Sequence, residues 1–417
     1  MDKYDEIRKE HSIKRFNEIA ALFGERNPIY DLNTALIDED SRKIEICEAK
    51  LGLLGHEYSF KDLDYLKGKE KFIIAYLLPH NHITGGLKIL IEQANNLRDR
   101  GHNVLLFSHV PKPDWIDVRC KYFLVPPEKS LYEVIPYADI VIAGYWDLII
   151  DALKTNAPLR YYIAQGDIDI FEYDRLNPLY RNIAVTAHEL PVRILTVSKL
   201  MQIKIKELYK RNSVLIPNAI DDKIFYPEYN KGNNPPEILI IGNDSLNFKG
   251  HDDIIRALFA LKNDGCNFRV RWAMPNFPTK DYTSAKLNIQ YIIRPTQEEL
   301  GRLYRTSDLY ISASYYESFS LPPLEAMASA TAVITASNEG VKEYAVDGEN
   351  CLMFEPGNVK QLIEKTKYLL ESVELREKLS EQGLKTAKGY SWGHSVDLLE
   401  EEFYKAIKKL RIAVLEQ

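Results

Sequence analysis

The chain has 417 residues, of which 45% are hydrophobic and 27% charged, with a formal net charge of −6. That length suits about two domains with proper cores, and the mild acidity argues against a polyanion binder, so nucleic acid is not an expected partner. Cys47, Cys120, Cys266 and Cys351 lie far apart with no CxxC or Cys/His spacing, which argues against both a disulfide framework and a structural metal site.

The opening "MDKYDEIRKEHSIKRF" is charged rather than apolar, and no run approaches the roughly 18 apolar residues of a membrane span. A cytoplasmic protein is expected, touching the inner face of a membrane peripherally at most. Residues 1–70 read as a helical extension, because "EIRKEHSIKRFNEIAALFG" carries apolar residues at helical spacing with Gly24 as a stop.

At Lys71 the texture changes to "KFIIAYLLP", a continuous apolar run that suits a strand buried on both faces of a parallel sheet. Helical "GGLKILIEQANNLRDRG", strand "HNVLLFS", helical "SLYEVIPYA" and strands "DIVIAGYW", "LRYYIAQGD" and "RILTVS" follow, so 71–220 is a first α/β domain. The polar, Asn/Gly/Pro-rich stretch "DKIFYPEYNKGNNPP" between Asp222 and Pro236 is a linker. Strand and helix alternation then restarts at "EILIIGN" and runs through "FRVRWAM", "IQYIIRP", "DLYISAS" and "AVITAS", giving a second α/β domain over 236–392, with a last amphipathic helix in 393–417. The predicted architecture is two doubly wound, Rossmann-like domains facing a cleft, with ligands outside the carboxyl ends of the strands.

After "DLYISAS" comes "SYYESFSLPPLE", where Pro322 and Pro323 mark a helix start and place Glu325 in its first turn. The loop amides of Ser318, Phe319 and Ser320 and the first helical N–H groups suit an anion, and Glu317 and Glu325 suit sugar or ribose hydroxyls. On spacing alone an equal alternative is that Glu325 offsets the helix dipole and Glu317 is a solvated loop residue.

The longer stretch "SASYYESFSLPPLEAMASATAVITASNEGVKEYAVDGENCLMFEPGN" resembles the donor-site segment of retaining glycosyltransferases of family four, which have the GT-B fold. "LTVSKLMQIKIKELYKRNSVLIPNAIDDKIFYP" and "GYSW" are similar to further segments of that family, and together these cover roughly residues 195 to 395. The resemblance implies that Glu317 contacts the transferred sugar and Glu325 the ribose. In "IGNDSLNFKG" it implies a diphosphate site at Gly242, Lys249 and Gly250, with Asn243 where the family has arginine. Lys249 is the expected cation for the leaving diphosphate. Arg294, after "IQYII", is expected near the base or phosphate, or is a turn residue.

In the first domain, Gly85 and Gly86 of "PHNHITGGLKIL" let a backbone approach a ligand, and the resemblance assigns such a loop to the donor phosphates and the acceptor side. His80 and His82 lack a third ligand in view and read as polar loop residues. Gln165 stands where some relatives carry a histidine against the donor sugar. Asp167 either orients or deprotonates an acceptor hydroxyl or caps a helix, and Tyr145 and Trp146 either stack on a sugar or pack.

The activity expected is retaining transfer of a sugar from a nucleotide diphosphate sugar to a hydroxyl on a glycan or lipid-linked acceptor, in polysaccharide or glycoconjugate synthesis. No cofactor or metal is expected, Lys249 and helix N-termini supplying the positive field. The extension over 1–70 either caps the acceptor side or mediates homo-oligomerisation. The competing reading is a catalytically silent GT-B subunit binding glycan or a partner enzyme, favoured by "ESFS" for the family's "EGFG", by Asn243 and by "NAID" for Asn-Gly-Ile-Asp.

Overall fold

In the computed structural model the described residues are 3–21, 66, 68–228, 232, 234–282 and 287–415. Gly24, Cys47, most of the extension and the centre of the linker lie outside them. Two compact units divide the chain, one of residues 1–217 with 395–417, the other of residues 218–394.

The first unit is built on a seven-stranded parallel sheet. Its strands are β1 (Ile73–Leu77), β2 (Asn103–Ser108), β3 (Lys121–Leu124), β4 (Ile140–Ala143), β5 (Leu159–Ala164), β6 (Arg193–Thr196) and β7 (Val214–Leu215), in the order β3-β2-β1-β4-β5-β6-β7. The apolar run at residue 72 becomes β1 because helices and strands cover it on every side, and Ile74, Ala75, Tyr76 and Leu77 have no exposed surface. "SLYEVIPYA" forms only a single 3₁₀ turn, Leu131–Val134. Pro136 is the reason, since it bars Ile135 from helical geometry and supplies no N–H.

Within this unit the segment from Ser395 packs on the amino edge of the sheet. Val396, Leu399 and Phe403 are fully buried, Arg100 pairs with Asp397 and Glu400, and His102 Nε2 lies 2.8 Å from Glu400 Oε1. Helices at Pro178–Glu189 in this unit and at Val373–Ala387 in the second go beyond the elements predicted from periodicity.

The second unit carries a six-stranded parallel sheet of β8 (Glu237–Ile241), β9 (Arg269–Met274), β10 (Ile289–Ile293), β11 (Leu309–Ser312), β12 (Ala332–Ala336) and β13 (Leu352–Phe354), ordered β10-β9-β8-β11-β12-β13. Ile238, Ile240, Trp272, Leu309 and Ile334 form the buried centre, each contributing about 1.5–3 kcal/mol for its apolar side chain. Both sheets reverse strand order once, between β1 and β4 and between β8 and β11. In open α/β sheets those reversals are where ligand crevices open, at the carboxyl ends.

Candidate functional site

At the second reversal, β8 ends at Ile241 and the chain turns through Gly242, whose φ of +126° only glycine adopts freely. Asn243 does not reach out as a phosphate ligand would; its Oδ1 accepts a hydrogen bond from Ser245 N at 3.0 Å, closing a turn. Buried Asp244 accepts from Thr279 N, Thr279 Oγ1 and Lys280 N, tying this loop to the one after β9. The chain then makes the 3₁₀ turn Asn247–Lys249 and passes through Gly250 at φ +66°. A Cβ at Gly250 would sit 2.2 Å from the Ala313 carbonyl oxygen, so only glycine lets Lys249 come this close to the exit of β11.

From β11 the loop bearing Glu317 comes to meet it. Lys249 Nζ donates to Glu317 Oε1 at 2.6 Å, joining residues 68 apart in sequence. The loop is held on several sides: Tyr315 N donates to Phe248 O, Tyr315 OH to Asp253 Oδ2, and Asn338 Nδ2 to Ser314 O. Gly340 lies so near that a Cβ there would meet Glu317 O at 2.2 Å and Phe319 N at 2.9 Å. Phe319 is an anchor, 1% exposed and packed against Tyr344 and Tyr390.

Ser320 has φ +68° and is buried, and its carbonyl accepts from Tyr344 OH at 2.6 Å. A left-handed non-glycine residue costs about 1–3 kcal/mol. The serine therefore keeps the backbone that a glycine would take without strain, and its surroundings enforce it. Ser318 is half-buried in the same loop. Lys249, His251, Glu317 and Ser320 share a cavity of about 10 Å³, room for a single water.

Glu325 is placed differently from expectation. The helix starts at Leu321 and spans Leu321–Ala328, so Glu325 stands in its second turn, 4% exposed, accepting a hydrogen bond from buried Tyr304 OH at 3.0 Å. A carboxylate enclosed this way does not serve as a solvated dipole counter-charge. Arg294 is exposed at φ +50° after β10, the edge strand, with β9 between it and β8.

The first unit assembles its own set at the reversal between β1 and β4. Gly85 and Gly86 open the helix Gly85–Asp99, capped by Thr84 Oγ1 accepting from Leu87 N, and a Cβ at Gly86 would lie 3.4 Å from Gln165 Oε1. Asp167 begins the short helix Ile168–Phe171, yet its side chain does not cap it; Oδ2 accepts from Tyr145 OH at 2.6 Å. Trp146 is fully buried and stacks on Phe16, a packing role. Among the described residues no group of three or more His, Cys, Asp or Glu side chains is gathered to hold a metal ion. The structure thus joins Lys249 with Glu317 and Ser320, and Gly86 with Gln165, Asp167 with Tyr145. Tyr304 and Gly340 are additions that sequence reading missed.

Residues 221–386 match the family described as "Glycosyl transferases group 1". An uncharacterized glycosyltransferase of Methanocaldococcus jannaschii is 30% identical over 208 residues, 48% of this chain and 56% of that protein. The chain spans about half the length of the curated relatives it matches. Among solved structures, sucrose-phosphate synthase of Thermosynechococcus elongatus superposes with a TM-score of 0.67 at 16% identity, over 80% of this chain and 98% of that one. Anabaena HepE in complex with UDP-glucose does so at 0.63 and 15% identity, over 81% and 99%. The fold is accordingly the GT-B class of paired parallel α/β domains.

Proposed function

We propose that the chain is a retaining glycosyltransferase of family-four type that moves a sugar from a nucleoside diphosphate sugar to a hydroxyl acceptor. The observation that carries this is the Lys249–Glu317 pair at the β8/β11 reversal. In the free protein the two charges satisfy each other. A bound diphosphate takes the Lys249 ammonium, and Glu317 is released to accept hydroxyls of the transferred sugar, so donor binding itself switches the site. Glu325, held by the Tyr304 hydroxyl at 3.0 Å, is the carboxylate assigned to the ribose.

In the transfer step the bond from the anomeric carbon to the phosphate oxygen breaks and a bond to the acceptor oxygen forms on the same face. The departing phosphate oxygen takes the acceptor proton. Lys249 and the amino end of Leu321–Ala328 stabilise the charge growing on the diphosphate, a task otherwise given to a metal ion. Asp167, held by Tyr145, orients the acceptor hydroxyl. UDP-sugars are the first donors to test, given the UDP-glucose complex of Anabaena HepE.

The test is a panel of UDP-, GDP- and dTDP-sugars scored for release of the nucleoside diphosphate, with the anomeric configuration of the product read by NMR. Release from at least one donor with retained configuration is expected. Absence of release from every donor overturns the transferase reading, and an inverted product overturns retention.

A further inference from the structure

The N-terminal helix Lys3–Ala21 lies on the ligand edge of the first unit. Four successive strands end beneath it. Asp5 Oδ1 is 3.4 Å from His82 Nε2 after β1, His11 stacks on His109 after β2 at 3.7 Å, and His11 Nε2 and Lys14 Nζ reach Pro127 O and Ser130 Oγ after β3. Arg15 and Phe16 then meet Asp147 and Trp146 after β4. The helix therefore covers the reversal between β1 and β4, where Gly86, Gln165, Tyr145 and Asp167 also gather.

Its two halves differ in how they are satisfied. In the second half, Arg15 is buried and uses Nε and Nη2 on Asp147 and Nη1 on Asp151, and Glu18 pairs with Lys154 at 2.7 Å. This is an anchor with its donors paired. In the first half, Arg8 Nε is enclosed with no hydrogen-bond partner, its nearest carboxylate, Asp5, standing at 3.9 Å. His80 Nδ1 is enclosed and unpartnered as well, in the field of Arg8 and His82. Arg8 and His80 are only partly buried, the Arg8 side chain being 38% exposed, so these two enclosed nitrogens at the ligand edge are within reach of a ligand group.

The charge balance names its class. Arg8 and Asp5 offset each other, and burial, with His82 and Arg8 alongside, pushes His80 down to about 4, leaving a neutral ring at neutral pH. A guanidinium donor, a neutral imidazole that donates at one nitrogen and accepts at the other, a carboxylate acceptor and no net charge together suit vicinal hydroxyls, each both donor and acceptor. We propose that the N-terminal helix forms one wall of the acceptor subsite, with Arg8, Asp5 and His80 reading the hydroxyls of an uncharged sugar. The subsite rests on the transferase reading above.

The test uses the full chain on a printed array of neutral and sialylated oligosaccharides, with UDP affinity measured in parallel. Wild type is expected to retain neutral oligosaccharides. Arg8→Gln and Asp5→Asn are expected to lose signal about tenfold or more, as for a hydrogen bond to a charged group, while UDP affinity stays within about twofold. Lys9→Gln, on the exposed side of the same helix, is expected to leave the signal unchanged. Capture of no oligosaccharide, capture confined to sialylated ones, or equal signals from wild type and Arg8→Gln would each overturn the subsite. Failure of UDP to bind while neutral oligosaccharides are retained would instead count against the donor site alone.

Discussion

Gly340→Ala is a small change that reaches the proposed donor site from outside it. The new Cβ would stand 2.2 Å from Glu317 O, against an ordinary contact of 3.4 Å or more, and the obstacle is backbone rather than a flexible side chain. Its own φ of −68° accepts alanine, so the whole effect falls on the loop. The Glu317–Phe319 backbone has to retreat by about 1 Å, and a misplacement of that size costs about 10²-fold in a reaction that depends on positioning. Overpacking adds about 1–3 kcal/mol of destabilisation. Retreat is resisted by Asn338, Tyr344 and the Phe319 anchor, so strain stays local. Thermal denaturation and donor turnover, measured on one preparation, separate the two effects. A folded Gly340→Ala variant with wild-type turnover would refute the idea that this loop's placement governs the site.

Two further outcomes follow from buried charges. Arg15→Met removes the partner of Asp147 and Asp151, both 3% exposed, and should destabilise the chain by about 3–5 kcal/mol, read by denaturant unfolding. His188 and Asp169 lie 3.7 Å apart, close enough to be counted as an ion pair, yet burial lowers His188 to about 3, and burial, aided by Asp167, raises Asp169 to about 7. Near pH 5 both are therefore neutral. The depressed histidine contributes stability present above pH 6.5 and lost as pH falls toward 3. The raised carboxyl contributes stability present below its ordinary value of 3.8 and lost as pH rises through 7. Between pH 4 and 6 they oppose one another. Relative to wild type, Asp169→Asn should gain stability with rising pH by about 1.4 kcal/mol per unit, and His188→Gln should lose it at the same rate. Parallel curves for all three proteins would contradict this.

Much of the framework was legible in the sequence because it rests on local signals. Apolar runs at residues 72–78, 238–241 and 309–311 read as strands covered on both faces, and their alternation with helical periods yields parallel sheets. Lys249 and Glu317 were legible through motif resemblance. Their direct pairing was not, since it depends on Gly250 clearing the Ala313 carbonyl across the sheet. The helix Pro178–Glu189 was missed although its signal was present, Asn177 as cap and Pro178 at the first position. The roles of Tyr304, Gly340 and Arg15 had no local signal. Each acts on residues between 21 and 136 positions away, and only the fold supplies those neighbours.

The central claim is that the Lys249–Glu317 pair and Glu325 form the seat of a nucleoside diphosphate. Calorimetric titration of the full chain with UDP, GDP and dTDP tests it directly. At least one should bind at a single site, and Lys249→Ala and Glu325→Ala should each weaken it by about 10- to 100-fold, the worth of a hydrogen bond to a charged group. Heats of dilution alone for all three nucleotides would contradict the account.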